Sequence, residues 1–459
     1  MLIRFNVKNL LSFNDTQEFS MIAGRQTKHP IHVDNSKKLK LLKFAAVFGA
    51  NASGKSNLVL ALDFVRTSLI HEIPYNCYQS YCRIKPENQN KPSEFEFEIK
   101  IGSEVYAYGF DILLNKRSIV GEWLYRLYPN GKEEEIFTRK PKEEFQHFSD
   151  KFSDNARSTL ETYGRDLLTN DTTLFLSEMN RNKGDLYTRV DGLLPLQHVY
   201  QWFKENLVVD YPESTLAPAS FFQDEDLPEF NKIIASLGLG INHVEFIDST
   251  MEEIQEKSGP ILKEINENIG RNMDLARKKG EDRLSLIIRN PKSLFRITYN
   301  LNNPDTPPVV KKLTFEQNKN HVLFEMDEES DGTRRLVNLI EIILAAKAGV
   351  EKTYVIDEIN RCLHPQVTYR YISEYLDSLE NSKTQLIVTT HESHLMDLNL
   401  LRRDEIWFVD KNDAGESHLY SLEEYNTRFD QRVRRAYLEG RYGGVPLFDK
   451  YFPIKKESA

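Results

Sequence analysis

Residues Gly49 to Ser56 read GANASGKS, two glycines followed by lysine and serine at the spacing of a phosphate-binding P-loop. Gly49 and Gly54 let the backbone turn its N–H groups inward around phosphates. Lys55 reaches the β- and γ-phosphates as a point charge. Ser56 offers its hydroxyl to magnesium, and the next helix presents its positive N-terminus. Asn51 and Asn57, in the same loop and first helical turn, complete the candidate nucleotide contacts. The context separates this motif from a chance glycine-rich turn. Leu39 to Phe48 (LKLLKFAAVF) is a continuous apolar run that ends at the first glycine, as a buried strand does. Leu58, Leu62, Val65 and Leu69 then recur at helical spacing. Strand, glycine-rich loop and helix in that order predict binding and hydrolysis of ATP with Mg2+.

Working outward, Thr353 to Glu358 (TYVIDE) is an apolar strand ending in two acids. Asp357 fits the Walker-B role of supporting magnesium, and Glu358 that of polarising the attacking water. The bland alternative is a strand end with solvated carboxylates. Gln385 to His391 (QLIVTTH) is a second buried strand, ending in a histidine that can contact a γ-phosphate. Elsewhere a lone histidine would be read as structural. Glu329 to Arg335 (ESDGTRR) opens a helix. Ser330, Asp331 and Thr333 are good N-cap types, so simple capping is one reading. The sharper reading has Ser330 and the Gly332 backbone bind a γ-phosphate held by another subunit, as the Ser-Gly signature of ABC-type ATPases does.

The chain has 459 residues, 40% of them hydrophobic and 28% charged. That suits two or three domains, or one large domain with an insertion. A net charge of −9 excludes a uniformly basic nucleic-acid binder but leaves room for a local basic groove. Arg432, Arg434 and Arg435, and Arg277 to Lys279, are the compact basic clusters, and a solvated helix face explains them equally well. Cys77, Cys82 and Cys362 form neither a CxxC pair nor a zinc set, so a reducing cytoplasmic setting is expected. The N-terminus lacks a secretory core. The most apolar helical stretch, Leu336 to Ala348, is too short to span a bilayer, so no membrane association is expected.

Along the chain, Met1 to Ala23 suggests two or three strands. Glu94 to Ile101 (EFEFEIKI) alternates as a half-buried antiparallel strand, partnered by Val105 to Leu114 and then Ser118 to Tyr128. From about Lys132 to Gly280 helical spacing dominates, with amphipathic helices over Leu196 to Val208 and Pro260 to Ala276. Pro260 suits a first helical turn. Asp282 to Asn300 and Val309 to Met326 return to strand-like alternation. The last part is α/β, with helices over 338–347 and 366–379 and strands over 353–356, 385–389 and 404–409. The expected organisation is an N-terminal lobe over 1–130, a helical insertion over 131–281 and a C-terminal lobe over 282–459.

The order P-loop, long insertion, signature, Walker B, switch histidine resembles the ABC-type ATPase heads of the SMC/RecF/OLD group. The segments IRFNVKNLLSFND, GANASGKSN, SDGTRRL, IDEINRCLHP, TTHESHLMD and YLEGRYGGVP resemble the ATPase subunits of two-gene bacterial antiphage systems, of the PARIS AriA and RloA/AbiL type. The resemblance implies an α/β ABC-type (P-loop NTPase) head with an N-terminal antiparallel β-subdomain, interrupted by a helical insertion. It implies that Lys55 and Ser56 bind phosphate and magnesium, Asp357 supports the metal, and Glu358 is the catalytic base. Ser330 would act in trans, His391 as the switch, and Asn360 would lie at a dimer interface. It further implies a head-to-head homodimer or higher homo-oligomer, a separate effector, often a nuclease acting on RNA or DNA, and a phage protein as trigger. The signature lacks the usual second glycine, and only Gln79 and Gln89 are candidates for a Q-loop. No nuclease set follows His391. Two rival readings are a RecF-like repair ATPase acting directly on DNA, and a scaffold that needs ATP only to hold its shape.

Overall fold

A computed structural model describes residues 1–36, 39–141, 147–149, 151–212, 225–290, 292–303, 305–317, 321–425, 433–439 and 441–443. Arg432 and part of the terminal YLEGRYGGVP stretch lie outside them. By internal contacts the chain forms two units, Met1–Leu207 with Ile387–Ala459, and Val208–Leu386.

In the first unit, a seven-stranded antiparallel sheet has the spatial order His147–Phe148, Glu133–Arg139, Ser118–Leu127, Glu104–Leu113, Ser93–Ile101, Leu2–Lys8, Gln17–Ser20. Period-two alternation decides its faces. Phe95, Phe97 and Ile99 are buried, while Glu94, Glu96 and Glu98 point the other way. On the buried face Phe64 of the P-loop helix meets Phe95, ring centroids 5.1 Å apart, and Phe95 meets Phe110 at 5.3 Å. These tilted aromatic contacts dock the helix Lys55–Ile70 onto the sheet. A second group, Phe97, Tyr108, Trp202 and Phe203, packs edge to face further along the same surface.

The strand before the P-loop is shorter than its apolar run predicts. Leu39–Leu42 pairs antiparallel with Val33–Ser36, and the separate strand Phe44–Phe48 leads into the loop. The break falls at Lys43, which is buried, donates its backbone N–H to the His32 carbonyl and has its ammonium pKa lowered by desolvation. All five residues of Phe44–Phe48 are buried, and the strand pairs in parallel with Ile406–Lys411. Gln385–Thr390 lies on its other side in the sheet. The strand expected over 404–409 starts two residues later, because Arg403–Glu405 forms a 3-10 turn. The strand Ser417–Ser421 was not predicted.

In the second unit, Ile241–Asp248, Val309–Gln317, Ser293–Asn300 and Arg283–Asn290 follow one another in an antiparallel sheet, and Val322–Glu325 pairs with Val309–Gln317. The helix Met251–Lys278 lies on it through Ile254 and Leu262, which join Ile288, Phe295, Ile297 and Val310 in one core. Ser258 leaves helical geometry (φ −144°, ψ 25°). Pro260 therefore falls in the first turn of the second helical segment, where its missing N–H costs nothing. The helix Asp331–Lys347 is buried along most of its length. Its Glu341 accepts from Arg289 at 2.6 Å, and burial pushes that carboxyl up to about 7 although Arg289 pulls it down.

Residues 131–281, expected as a helical insertion, carry strands as well as helices. Glu133–Arg139 and His147–Phe148 extend the first sheet, and Ile241–Asp248 belongs to the second. Leu196 to Val208, expected as one helix, is the helix Leu194–Gln201, a π turn over Trp202–Asn206 and a strand over Leu207–Asp210. The apolar spacing is the same in both readings. Trp202 and Phe203 make the difference, since their packing on Phe97 outweighs continuation of the helix.

Candidate nucleotide site

The P-loop is held from below by hydrogen bonds and kept open above by glycine. A Cβ on Gly49 would come 2.4 Å from the Val409 carbonyl oxygen, and Gly54 has φ 115°. A Cβ there would lie 2.5 Å from Ser417 Oγ and 3.0 Å from Ser12 Oγ. Both positions require glycine, the second for its backbone as well as its neighbours. Lys55 is buried, and its Nζ donates to the Gly49 and Ala50 carbonyls at 2.9 Å each. The ammonium is thus folded back over the loop, where a phosphate-binding lysine belongs. Asn51 is exposed at the loop tip, and Ser56 is half-buried in the first helical turn.

Two serines brace this loop, and spacing offers no signal for either. Ser417 donates through Oγ to the Ser53 carbonyl at 2.5 Å, and its Oγ lies 2.7 Å from Ser12 Oγ, whose hydroxyl can donate to it. Its backbone N–H donates to the Ser12 carbonyl at 2.8 Å. Asn57 Nδ2 donates to Ser12 Oγ at 2.6 Å, so its amide is engaged in the brace. Ser12 lies in the LLSFND segment of the opening motif, and Ser417 on the unpredicted strand. His391 belongs to the same unit, as the exposed residue that follows Gln385–Thr390. Gln79 and Gln89 are exposed on two short 3-10 turns.

The second unit carries the other candidate residues. Thr353–Ile356 is wholly buried and ends at Asp357, whose N–H donates to the Asp210 carbonyl at 2.9 Å. Asp357 is 5% exposed. Glu358 has φ 46°, a left-handed conformation that is uncommon outside glycine, costs of order 1 kcal/mol and concentrates at functional sites. Asn360, expected at a dimer interface, is buried in the single chain.

Ser330 caps the helix Asp331–Lys347, with Oγ accepting from the Thr333 N–H at 3.1 Å and lying 3.0 Å from Thr333 Oγ1. The capping reading is therefore correct as local structure. The residue is also exposed, as is Asp331. A Cβ on Gly332 would lie 2.5 Å from the Cys362 carbonyl oxygen, so this glycine lets the start of the helix close on the turn after Walker B. One turn on, Arg335 forms a buried ion pair with Asp210. Asp210 thus ties the signature helix through its carboxylate and the Walker-B strand through its carbonyl. Asp210 was not among the expected residues, because its partners lie more than a hundred positions away in sequence.

Backbone N–H groups turned by glycine, with a lysine folded over them, suit a polyphosphate. The Ser56 hydroxyl is a hard oxygen donor of the kind Mg2+ accepts, and so, in the other unit, is the Asp357 carboxylate. Among the described residues no group of three or more His, Cys, Asp or Glu side chains can hold a metal by itself.

Fold and cradle define an α/β domain built around a P-loop. The chain belongs to the family described as AAA domain, putative AbiEii toxin, Type IV TA system, whose pattern matches residues 44–397. No curated protein matches. Among solved structures it is similar to an SMC head bound to the C-winged helix domain of ScpA, at 15% identity and TM-score 0.42, over 92% of this chain and 97% of that one. It is also similar to the SMC head domain from Thermotoga maritima, at 12% identity and TM-score 0.38, over 92% and 98%. A third is an Smc head with an extended coiled coil bound to the C-terminal domain of ScpA derived from Pyrococcus furiosus, at 16% identity and TM-score 0.35, over 96% and 99%.

Proposed function

We propose that the chain binds Mg-ATP on its P-loop and hydrolyses it when a second copy closes the site, and that this closure controls a separate effector protein in bacterial antiphage defence. The observation that carries the reading is the Gly49–Lys55 cradle, braced by Ser12 and Ser417 and built on glycines that admit no side chain. Lys55 and Ser56 grip the phosphates, and Asp357 supports the metal. Glu358 orients the attacking water, and His391 senses the γ-phosphate. Ser330 and Gly332 serve the partner copy's nucleotide, for which an exposed helix start is the suitable presentation. Magnesium would supply charge neutralisation at the transferred phosphoryl group.

A direct DNA-binding reading has less support. Arg277 is paired with Asp274 and Arg435 with Glu439, as on a solvated helix face. No helix among the described residues is long and apolar enough to cross a membrane.

The test is Glu358→Gln, measured by phosphate release and by size in the presence of ATP. Turnover should fall at least about 100-fold, equivalent to about 2.7 kcal/mol, while an ATP-bound assembly accumulates. Turnover at the unsubstituted rate would remove Glu358 from the role of base. Full effector control by the non-hydrolysing variant, together with disassembly of Lys55→Ala, would favour the scaffold reading.

A further inference from the structure

The outer face of the seven-stranded sheet carries a cleft that the nucleotide chemistry does not use. Its volume is about 660 Å³, within the range of small-ligand pockets. Its lining includes Asp111, Ser118, Trp123, Tyr125, Lys140 and Asp171. The cleft forms where the pairing of Glu104–Leu113 with Ser118–Leu127 slips between Asp111 and Ile112. Such a bulge re-aims side chains and is a device found beside binding sites.

Small residues make the floor. A Cβ on Gly109 would lie 2.6 Å from the Trp123 ring, so the indole lies directly over bare backbone. Its Nε1 donates to Glu96 Oε2 at 2.8 Å, which fixes the ring. Charge is unevenly settled around it. Glu94 is paired with Lys8 at 2.6 Å. Arg139 is buried, and its guanidinium donates to the Thr173 and Leu167 carbonyls. Asp171 accepts from Ser118 Oγ at 2.7 Å. Asp111, by contrast, lines the cleft with Oδ1 enclosed and no hydrogen-bond donor against it, so that Oδ2 is the oxygen left to meet an entering group. Burial, and then Glu94, push the Asp111 carboxyl up to about 6. A desolvated carboxylate beside a fixed indole, with Asp171 on the same cleft and Lys140 exposed to solvent, calls for a planar cation. Guanidinium both pairs with carboxylate and stacks on indole, which ammonium does less well.

We infer that this cleft receives an arginine side chain of a partner protein, paired with Asp111 and stacked on Trp123. The site stands independently of the ATPase reading, since none of its residues touches the P-loop.

The probe is Nα-acetyl-arginine methylamide at millimolar concentration, titrated into the full chain and followed by tryptophan fluorescence. Trp202 and Trp407 are buried, so a change reports Trp123. Saturable binding is expected, at least tenfold tighter than that of the uncharged citrulline counterpart. Asp111→Asn should weaken it at least tenfold, whereas Glu72→Gln, which removes a charge elsewhere, should leave it unchanged. Asp111→Asn should not lower the melting temperature, because the buried carboxylate costs stability at neutral pH. Trp123→Phe should abolish the fluorescence change and weaken binding followed by calorimetry. Equal binding of the citrulline probe, an unchanged Asp111→Asn, or tenfold tighter binding of spermidine would overturn the inference.

Discussion

The P-loop and the signature segment are both glycine-bearing turns that start a helix, yet they are held in opposite ways. Gly54 packs against Ser12 and Ser417, with Lys55 buried against the loop carbonyls. Those hydroxyls come from residues at the two ends of the chain. Ser330 is exposed and capped only by its own helix, and Gly332 has no left-handed φ. Gly332 is required only for close approach to the Cys362 carbonyl. The first turn is braced as suits a socket for a ligand. The second presents its groups outward, as suits a surface to which something else comes. The rigidity of the signature lies deeper, in the buried Arg335–Asp210 pair and the Asp357 bond to the same residue.

The largest expected effect tests that deeper support. Asp210→Ala leaves Arg335 buried without its carboxylate and should destabilise the Val208–Leu386 unit by about 3–5 kcal/mol. Denaturant unfolding measures it. A loss below about 1 kcal/mol would mean that the pair does not hold the signature helix.

The next effect separates the two glycines. Gly54→Ala should weaken ATP binding at least about 100-fold, about 2.7 kcal/mol, because the loop can accept neither the Cβ nor the backbone angle. Gly332→Ala should leave ATP affinity within about twofold while turnover falls at least tenfold, or about 1.4 kcal/mol. Calorimetry of ATP binding beside phosphate release distinguishes the two. Equal losses of affinity would break the contrast between socket and presented surface.

The smallest effect concerns Glu358. Its left-handed backbone is a local cost, so Glu358→Gly should raise stability by about 1 kcal/mol while turnover is lost. A melting temperature that falls instead would mean that the Glu358 side chain, and not its backbone, sets the energy of that turn.

The local structure of the candidate site was legible because its pattern is local. Gly49, Gly54, Lys55 and Ser56 lie within eight residues, and the flanking strand and helix announce themselves by period. Thr353–Ile356 followed by two acids is legible in the same way. The antiparallel strands Ser93–Ile101, Glu104–Leu113 and Ser118–Leu127 follow from alternation and short turns. Segments whose conformation depends on distant partners were not legible. Leu196 to Val208 reads as one amphipathic helix, whereas Trp202 and Phe203 fall in a π turn packed on Phe97. Ile241–Asp248 gave no reason to leave a helical region until paired with Val309–Gln317.

By itself, then, the sequence determined a glycine-rich loop between strand and helix, an apolar strand ending in two acids and a serine-capped helix, because each depends on contacts within one or two turns of chain. Only the tertiary structure decided what holds them. Ser12 and Ser417 meet against Gly54 from opposite ends of the chain, and Asp210 reaches Arg335 and Asp357 across more than a hundred residues. Such pairings carry no sequence period, since each arises from packing of surfaces that the chain brings together only once folded.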